Sequence, residues 1–272
     1  VGEILKAGRL HTICQSARCP NIGECWERRT ATFLILGDVC TRNCAFCAVT
    51  KGRPLPPDPD EPRHVAEAVA ALGLAYAVIT SVTRDDLPDG GAGRFAAVIG
   101  AIRSQSPGTR VEALIPDFCG DAASLETVLA ARPDVLNHNL ETTESLYPAI
   151  RRPLPNYRRS LRVLAAAKAR GALTKSGLMI GLGESETDIR RTFADLRQAG
   201  CDLLTIGQYL QPTPAHPPVA RYYAPDEFAA LAVAARAAGF REAVSGPLVR
   251  SSYQAGRLFE SVATKDERAC AT

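Results

Sequence analysis

The sequence predicts an α/β fold, a partial (β/α)6 TIM-like barrel with N- and C-terminal extensions covering the barrel ends. Six short runs rich in β-branched and aliphatic residues alternate with helix-patterned stretches, the pattern of right-handed βαβ units in a parallel sheet. Polar residues cluster just after those runs, where such barrels build their active sites. The chain has 272 residues, 46% of them apolar, enough for one sizeable core.

The expected strands cover residues 32–36, 77–81, 111–115, 135–139, 174–180 and 203–207. Between them lie EPRHVAEAVAALG (61–73), AGRFAAVIGAIRSQ (92–105), DAASLETVLAA (121–131), YRRSLRVLAAAKARG (157–171) and SETDIRRTFADLRQAG (185–200), each helical in pattern. A cysteine loop follows the first strand, SVTRDD the second, NHNLET ends the fourth, and GLGES follows the fifth. KGRPLPPDPDEP (51–62) and QPTPAHPP (211–218) are proline-rich connectors, unsuited to helix interior or central strand. The organisation is therefore an N-terminal extension (1–30), a barrel (31–215) and a C-terminal extension (216–272).

Charge and hydropathy exclude several classes. The formal charge of +3 is spread along the chain, so nothing demands a nucleic-acid partner, though an acidic protein or an anionic cofactor would suit it. No window approaches eighteen consecutive apolar residues, and no short apolar run with a cleavage site opens the chain. A cytoplasmic protein is expected. The chain begins at Val1, so a longer natural N-terminus is expected too.

Six of the nine cysteines fall between residues 14 and 47, and in a reducing compartment such clustering argues for metal over disulfides. CTRNCAFC places Cys40, Cys44 and Cys47 at C-x3-C-x2-C spacing, and HTICQSARCPNIGECW places Cys14, Cys19 and Cys25 at C-x4-C-x5-C. Six thiols are too many for one closed four-cysteine zinc site and too few for two. Three thiolates on a [4Fe-4S] cluster leave one iron open to a small molecule. Cys119, Cys201 and Cys270 stand apart and are expected to be buried or incidental thiols.

A third element completes the pattern: Arg250, Ser251, Ser252 and Tyr253 form RSSY near the C-terminus. With both triplets, it makes the chain resemble the lipoyl synthases of the radical SAM superfamily. The resemblance covers nearly the whole chain, including SVTRDDLPDGGA (81–92), LIPDF (114–118), TKSGLMIGLGE (174–184) and QYLQPT (208–213). It implies that Cys40, Cys44 and Cys47 hold the cluster that reduces S-adenosylmethionine, yielding a radical that abstracts hydrogen from an octanoyl chain. Cys14, Cys19 and Cys25 would hold an auxiliary [4Fe-4S] cluster, completed by Ser252 or by Ser251. A serine oxygen matches iron less well than thiolate, which suits a cluster consumed as sulfur donor.

The implied reaction inserts sulfur at carbons 6 and 8 of a protein-bound octanoyl-lysine, using two S-adenosylmethionine per product. The implied partners are an octanoylated lipoyl-carrier domain or glycine-cleavage H protein and a flavodoxin- or ferredoxin-type electron donor, with no nucleic acid, no membrane and a monomeric enzyme. The alternatives are another radical SAM C–H sulfuration or methylthiolation enzyme, and a metal-binding interaction module.

Further candidates are less specific. Arg84, Asp85 and Asp86 follow the second strand as a charge run of the kind that is usually a solvated cap, and nearby Thr80, Ser81 and Thr83 offer polar groups for the cofactor's amino group. Asn137, Asn139 and Glu141 could meet its methionine or ribose, and Lys175 could neutralise its carboxylate. Gly181 and Gly183 offer backbone N–H groups to an anion or to the adenosine. Arg250 could order the serine loop. His11 and His138 read as structural histidines, and Phe46 as packing against the cluster or first strand.

Overall fold

The structure, a computed structural model, describes residues 1–28, 30–150 and 156–270, the stretch 265–270 by backbone alone. The side chain of Cys270 thus lies outside the described residues. Among the described residues ten strands form: β1 (His11–Thr12), β2 (Thr32–Ile35), β3 (Val39–Cys40), β4 (Thr50–Lys51), β5 (Tyr76–Ser81), β6 (Arg110–Leu114), β7 (Val135–Asn137), β8 (Thr174–Ile180), β9 (Leu203–Gln208) and β10 (Glu242–Gly246). Eight make one sheet in the order β1-β2-β5-β6-β7-β8-β9-β10, and β3 pairs with β4 alone. From β2 to β10 every pairing is parallel. This is a partial barrel.

All six expected strands are present in the eight-stranded sheet, with two more. β1 pairs antiparallel with β2. β10 adds a seventh parallel strand along β9, inside the segment expected to be C-terminal extension. Its sequence, EAVSG, is only half apolar, so backbone pairing rather than side-chain pattern makes it a strand. β2 stops one residue early because Leu36 adopts φ 68 and its N–H turns to the buried Glu61 carboxylate at 2.9 Å.

The helices lie outside the sheet. Glu61–Leu72 buries Val65, Ala66, Ala68, Val69 and Leu72 along one stripe and ends at Gly73, whose φ of 64 closes the helix without steric penalty. It packs with Ala92–Gln105 over β2, β5 and β6, where Phe33, Ile35, Ile79 and Phe95 are fully buried. A second core lies between β8, β9 and the helices Tyr157–Ala169, Glu186–Gln198 and Pro225–Ala237. Asn156 caps the first of these, and Ser185 with Asp188 forms a capping box on the second.

The two ends of the barrel are closed differently. At the base, helix Ala255–Cys270 places Phe259 against Tyr76 with ring centroids 5.8 Å apart, and Leu258 and Val262 against Leu203. At the mouth, the N-terminal segment and the 247–254 turn meet. Asn21 donates to the Leu248 carbonyl at 2.7 Å, and the Tyr253 hydroxyl donates to Glu24 at 3.1 Å. Among the described residues no helix is long and apolar enough to cross a membrane.

Candidate active site

The cysteine loop leaves the top of β2 and is pinched at its base by the β3–β4 pair, in which Cys40 faces Lys51 and Gly52 donates to the Cys40 carbonyl at 3.0 Å. Cys40 Sγ accepts from the backbone N–H of Arg42 at 3.4 Å and of Thr83 at 3.3 Å. The other triplet comes from the N-terminal segment, where Thr12 caps the short turn carrying Cys14. Cys14, Cys19, Cys40, Cys44 and Cys47 all line one cavity of about 440 Å³, as do Arg250, Ser251 and Ser252. That size falls in the usual range for small-molecule sites.

Two glycines make this assembly possible. A Cβ on Gly207 would lie 2.0 Å from the Val249 carbonyl oxygen, so only glycine lets the RSSY turn rest on β9. A Cβ on Gly177 would lie 2.8 Å from Asn139 Oδ1, so β8 leaves room for Asn139 to reach the Ser251 hydroxyl, to which its Nδ2 donates at 3.2 Å. Neither position carries a sequence signal of its own. Both follow from close approach of strands and turn.

The donor set fits iron–sulfur clusters. None of the described cysteines is joined in a disulfide. Two sets of three cysteines are the ligand chemistry of iron–sulfur clusters. Burial raises the Cys14 and Cys25 thiols above their ordinary pKa, and charge within the triplet adds to it, from Cys19 on Cys14 and from Cys14 and Cys19 on Cys25. Burial also pushes Cys47 up to about 11, with Cys44 and Cys40 adding to the rise. Each triplet thus senses its own members, and binding a cation there must displace protons.

Comparison with known proteins agrees. The family model of the Radical SAM superfamily matches residues 34–196. A lipoyl synthase of Rubrobacter xylanophilus is 59% identical over 257 residues, covering 94% of this chain and 80% of its own. One from Thermus thermophilus is 58% identical over 254 residues, covering 92% and 79%. The chain belongs to the lipoyl synthase family.

Solved structures support the fold alone. HydG, a maturase of the [FeFe]-hydrogenase, superposes with a TM-score of 0.65 at 14% identity over 85% of this chain and 54% of its own. Streptococcus suis SuiB bound to precursor peptide gives 0.60 at 11% identity, over 83% and 52%. The chain spans about half the length of these two structures.

Within this lipoyl synthase family member, Thr80, Ser81, Thr83, Asn139 and Glu141 line the cavity, together with Phe46 and His138. His138 is 1% exposed, with Nδ1 2.9 Å from the Ile115 carbonyl oxygen. His11 sits in β1, 4.0 Å from Asp38.

Three expected cofactor contacts, Lys175, Asn137 and Gly181, are used otherwise. Lys175 and Asn137 lie below the cavity wall, both bonded to the buried Glu112. Lys175 Nζ is 2.9 Å from each carboxylate oxygen, and Asn137 Nδ2 is 2.8 Å from one of them. Lys175 precedes the cavity-lining Gly177 by two residues and Glu112 precedes Leu114 likewise, so the pair belongs to the layer beneath. Gly181 and Gly183 are left-handed, at φ 99 and 112, but Gly181 and Leu182 donate their N–H groups to the Glu184 carboxylate at 2.6 and 3.0 Å. The chain supplies its own anion there.

In the RDD run only the arginine is buried, while Asp85 and Asp86 stay exposed. Arg84, 2% exposed, binds Asp86 at 2.9 Å and the Leu36 carbonyl at 3.2 Å. Asp85 instead pairs with Arg42 of the cysteine loop at 2.7 Å, and Asp117 of LIPDF holds the same guanidinium at 2.7 Å. Burial alone would raise the Asp117 carboxyl, but the hydrogen bond and charge of Arg42 outweigh it and bring it down to about 2. Arg42 and Asp117 went unsuspected in the sequence, though each lies inside a motif. Of the lone thiols, Cys201 is fully buried, while Cys119 is exposed beside Asp85 and Arg42.

Arg250 also lines the cavity. Its Nη1 donates to the Val249 carbonyl at 2.7 Å, and burial lowers its pKa while nearby Cys19 opposes the shift.

Proposed function

We infer that the protein is a radical S-adenosylmethionine sulfurtransferase that inserts two sulfur atoms, at carbons 6 and 8, into a protein-bound octanoyl-lysine. The observation that carries this reading is the single cavity shared by members of both cysteine triplets and the RSSY turn. Bound there, a [4Fe-4S] cluster with S-adenosylmethionine supplies hydrogen abstraction, and a second cluster supplies sulfide. The chain positions and encloses them. Cys40, Cys44 and Cys47 hold the first cluster at the mouth. Cys14, Cys19 and Cys25 hold the second, kept against the RSSY turn by the Asn21–Leu248 and Glu24–Tyr253 hydrogen bonds.

Ser252 is the serine ligand in this reading, because the Ser251 hydroxyl is engaged by Asn139. Arg250 secures the turn. Thr80, Asn139 and Glu141 face S-adenosylmethionine, two of which are used per product. The substrate is carried by an octanoylated lipoyl-carrier domain or glycine-cleavage H protein, and electrons come from a flavodoxin- or ferredoxin-type donor, for a cytoplasmic, monomeric enzyme.

A single turnover with octanoylated carrier peptide tests the reading, using protein whose clusters were built with heavy-isotope sulfide. The expected product carries two heavy sulfurs. Light sulfur in the product excludes the cluster as donor, and cleavage of S-adenosylmethionine without sulfurated peptide excludes the substrate.

A further inference from the structure

We propose that Arg42 is a positioning residue for the radical-generating cluster: its buried guanidinium clamps the cysteine loop to the loops after β5 and β6, holding two amide donors on Cys40 Sγ. The proposal rests on the reading above, in which Cys40 is a cluster ligand.

Arg42 is fixed at both ends. Its guanidinium, 4% exposed, meets Asp85 through Nε at 2.7 Å and Nη2 at 2.8 Å, and Asp117 through Nη2 at 2.7 Å. Its backbone N–H donates to Cys40 Sγ at 3.4 Å. The second donor, the Thr83 amide at 3.3 Å, is held by the neighbouring Thr41. Thr41 donates through its N–H and hydroxyl to the Thr83 carbonyl, both at 3.0 Å, and accepts from the Asp85 N–H at 3.1 Å. The segments 40–42 and 83–85 are thus stitched into one unit around the sulfur.

A buried guanidinium is tolerated only when its charge is paired, and here two carboxylates from different loops pair it. The planar fork fixes direction as well as charge, which an ammonium cannot do. Hydrogen bonds to a cluster's sulfurs tune its reduction potential. They stabilise the more negative, reduced form, so loosening the clamp makes reduction harder. A merely structural Arg42 would change stability and leave that balance alone.

The test uses the full chain with Cys14, Cys19 and Cys25 replaced by Ala, so that one cluster titrates. Arg42→Lys keeps the charge and loses the fork, and Asp117→Asn weakens one arm. Both are expected to retain about four irons. At a fixed applied potential, the ratio of reduced to oxidised cluster read by electron paramagnetic resonance is expected to fall about five- to tenfold, the loss of roughly one weak hydrogen bond. An unchanged ratio in both variants overturns the proposal, even if stability drops. If Arg42→Lys loads no iron, Asp117→Asn decides alone, and an unchanged ratio there overturns it. A parent chain that holds no cluster before any change at Arg42 overturns the underlying reading, and the proposal with it.

Discussion

Lys175 and Glu112 form an ion pair sealed inside the barrel, with Nζ 2.9 Å from both carboxylate oxygens and side chains 0% and 1% exposed. Tyr76 and Asn137 donate to the same carboxylate, each at 2.8 Å. Lys175→Met leaves that buried charge without its cation, and the expected cost is about 3–5 kcal/mol of stability in urea unfolding. Adding Glu112→Gln should recover part of it. S-adenosylmethionine affinity of the folded fraction should stay unchanged, since Lys175 does not line the cavity. Weaker cofactor binding at full stability would show that Lys175 reaches the cofactor after all.

Gly207→Ala should separate the two halves of the chemistry. The added methyl meets the Val249 carbonyl oxygen and displaces the turn carrying Arg250, Ser251 and Ser252. Sulfur insertion should fall by about a hundredfold, the scale of a 1 Å misplacement in an active site. Cleavage of S-adenosylmethionine, at the other triplet, should persist. Equal loss of both activities would mean that the RSSY turn supports the whole cavity.

Alkylation of cluster-free protein should show the raised Cys47 thiol directly. Burial moves it from 9.0 to about 11, so at pH 8 only about one thiol in a thousand is thiolate. Its alkylation by iodoacetamide, followed by peptide mapping, should rise about tenfold per pH unit until about pH 11. The folded state holds this proton more tightly than the unfolded state. The resulting stability is complete below pH 9 and is lost as pH climbs from 9 to about 11. A rate that levels off near pH 9 contradicts the raised value.

The two triplets should fail differently. Cys14→Ala is expected to lower iron from about eight to about four per chain and to abolish sulfur insertion while S-adenosylmethionine is still cleaved. Cys44→Ala should abolish cleavage itself. Iron analysis and quantitation of 5′-deoxyadenosine check both, and full product from Cys14→Ala rules out its triplet as sulfur donor.

Much of this protein is legible in local sequence, because the interactions behind it are local. Three cysteines within eight residues share one loop whatever the rest of the chain does, so Cys40, Cys44 and Cys47 announce their ligand chemistry by spacing. The same holds for Cys14, Cys19 and Cys25, and for apolar runs such as TFLIL that can satisfy only a buried strand. β10 escaped because EAVSG carries no such pattern and is held by its neighbour β9. The depth of a side chain in the barrel is also invisible in one dimension. Asn137 opens NHNLET and Lys175 lies near the start of its strand, and strand register sets both one layer below the cavity, against Glu112. Only the tertiary structure decided that Arg42 meets Asp85 and Asp117, since the adjacency of β5 and β6 brings together loops more than thirty residues apart in the chain. Spacing along the chain chose the ligands, while sheet order and strand register, set by long-range backbone pairing, chose the groups that hold them in place.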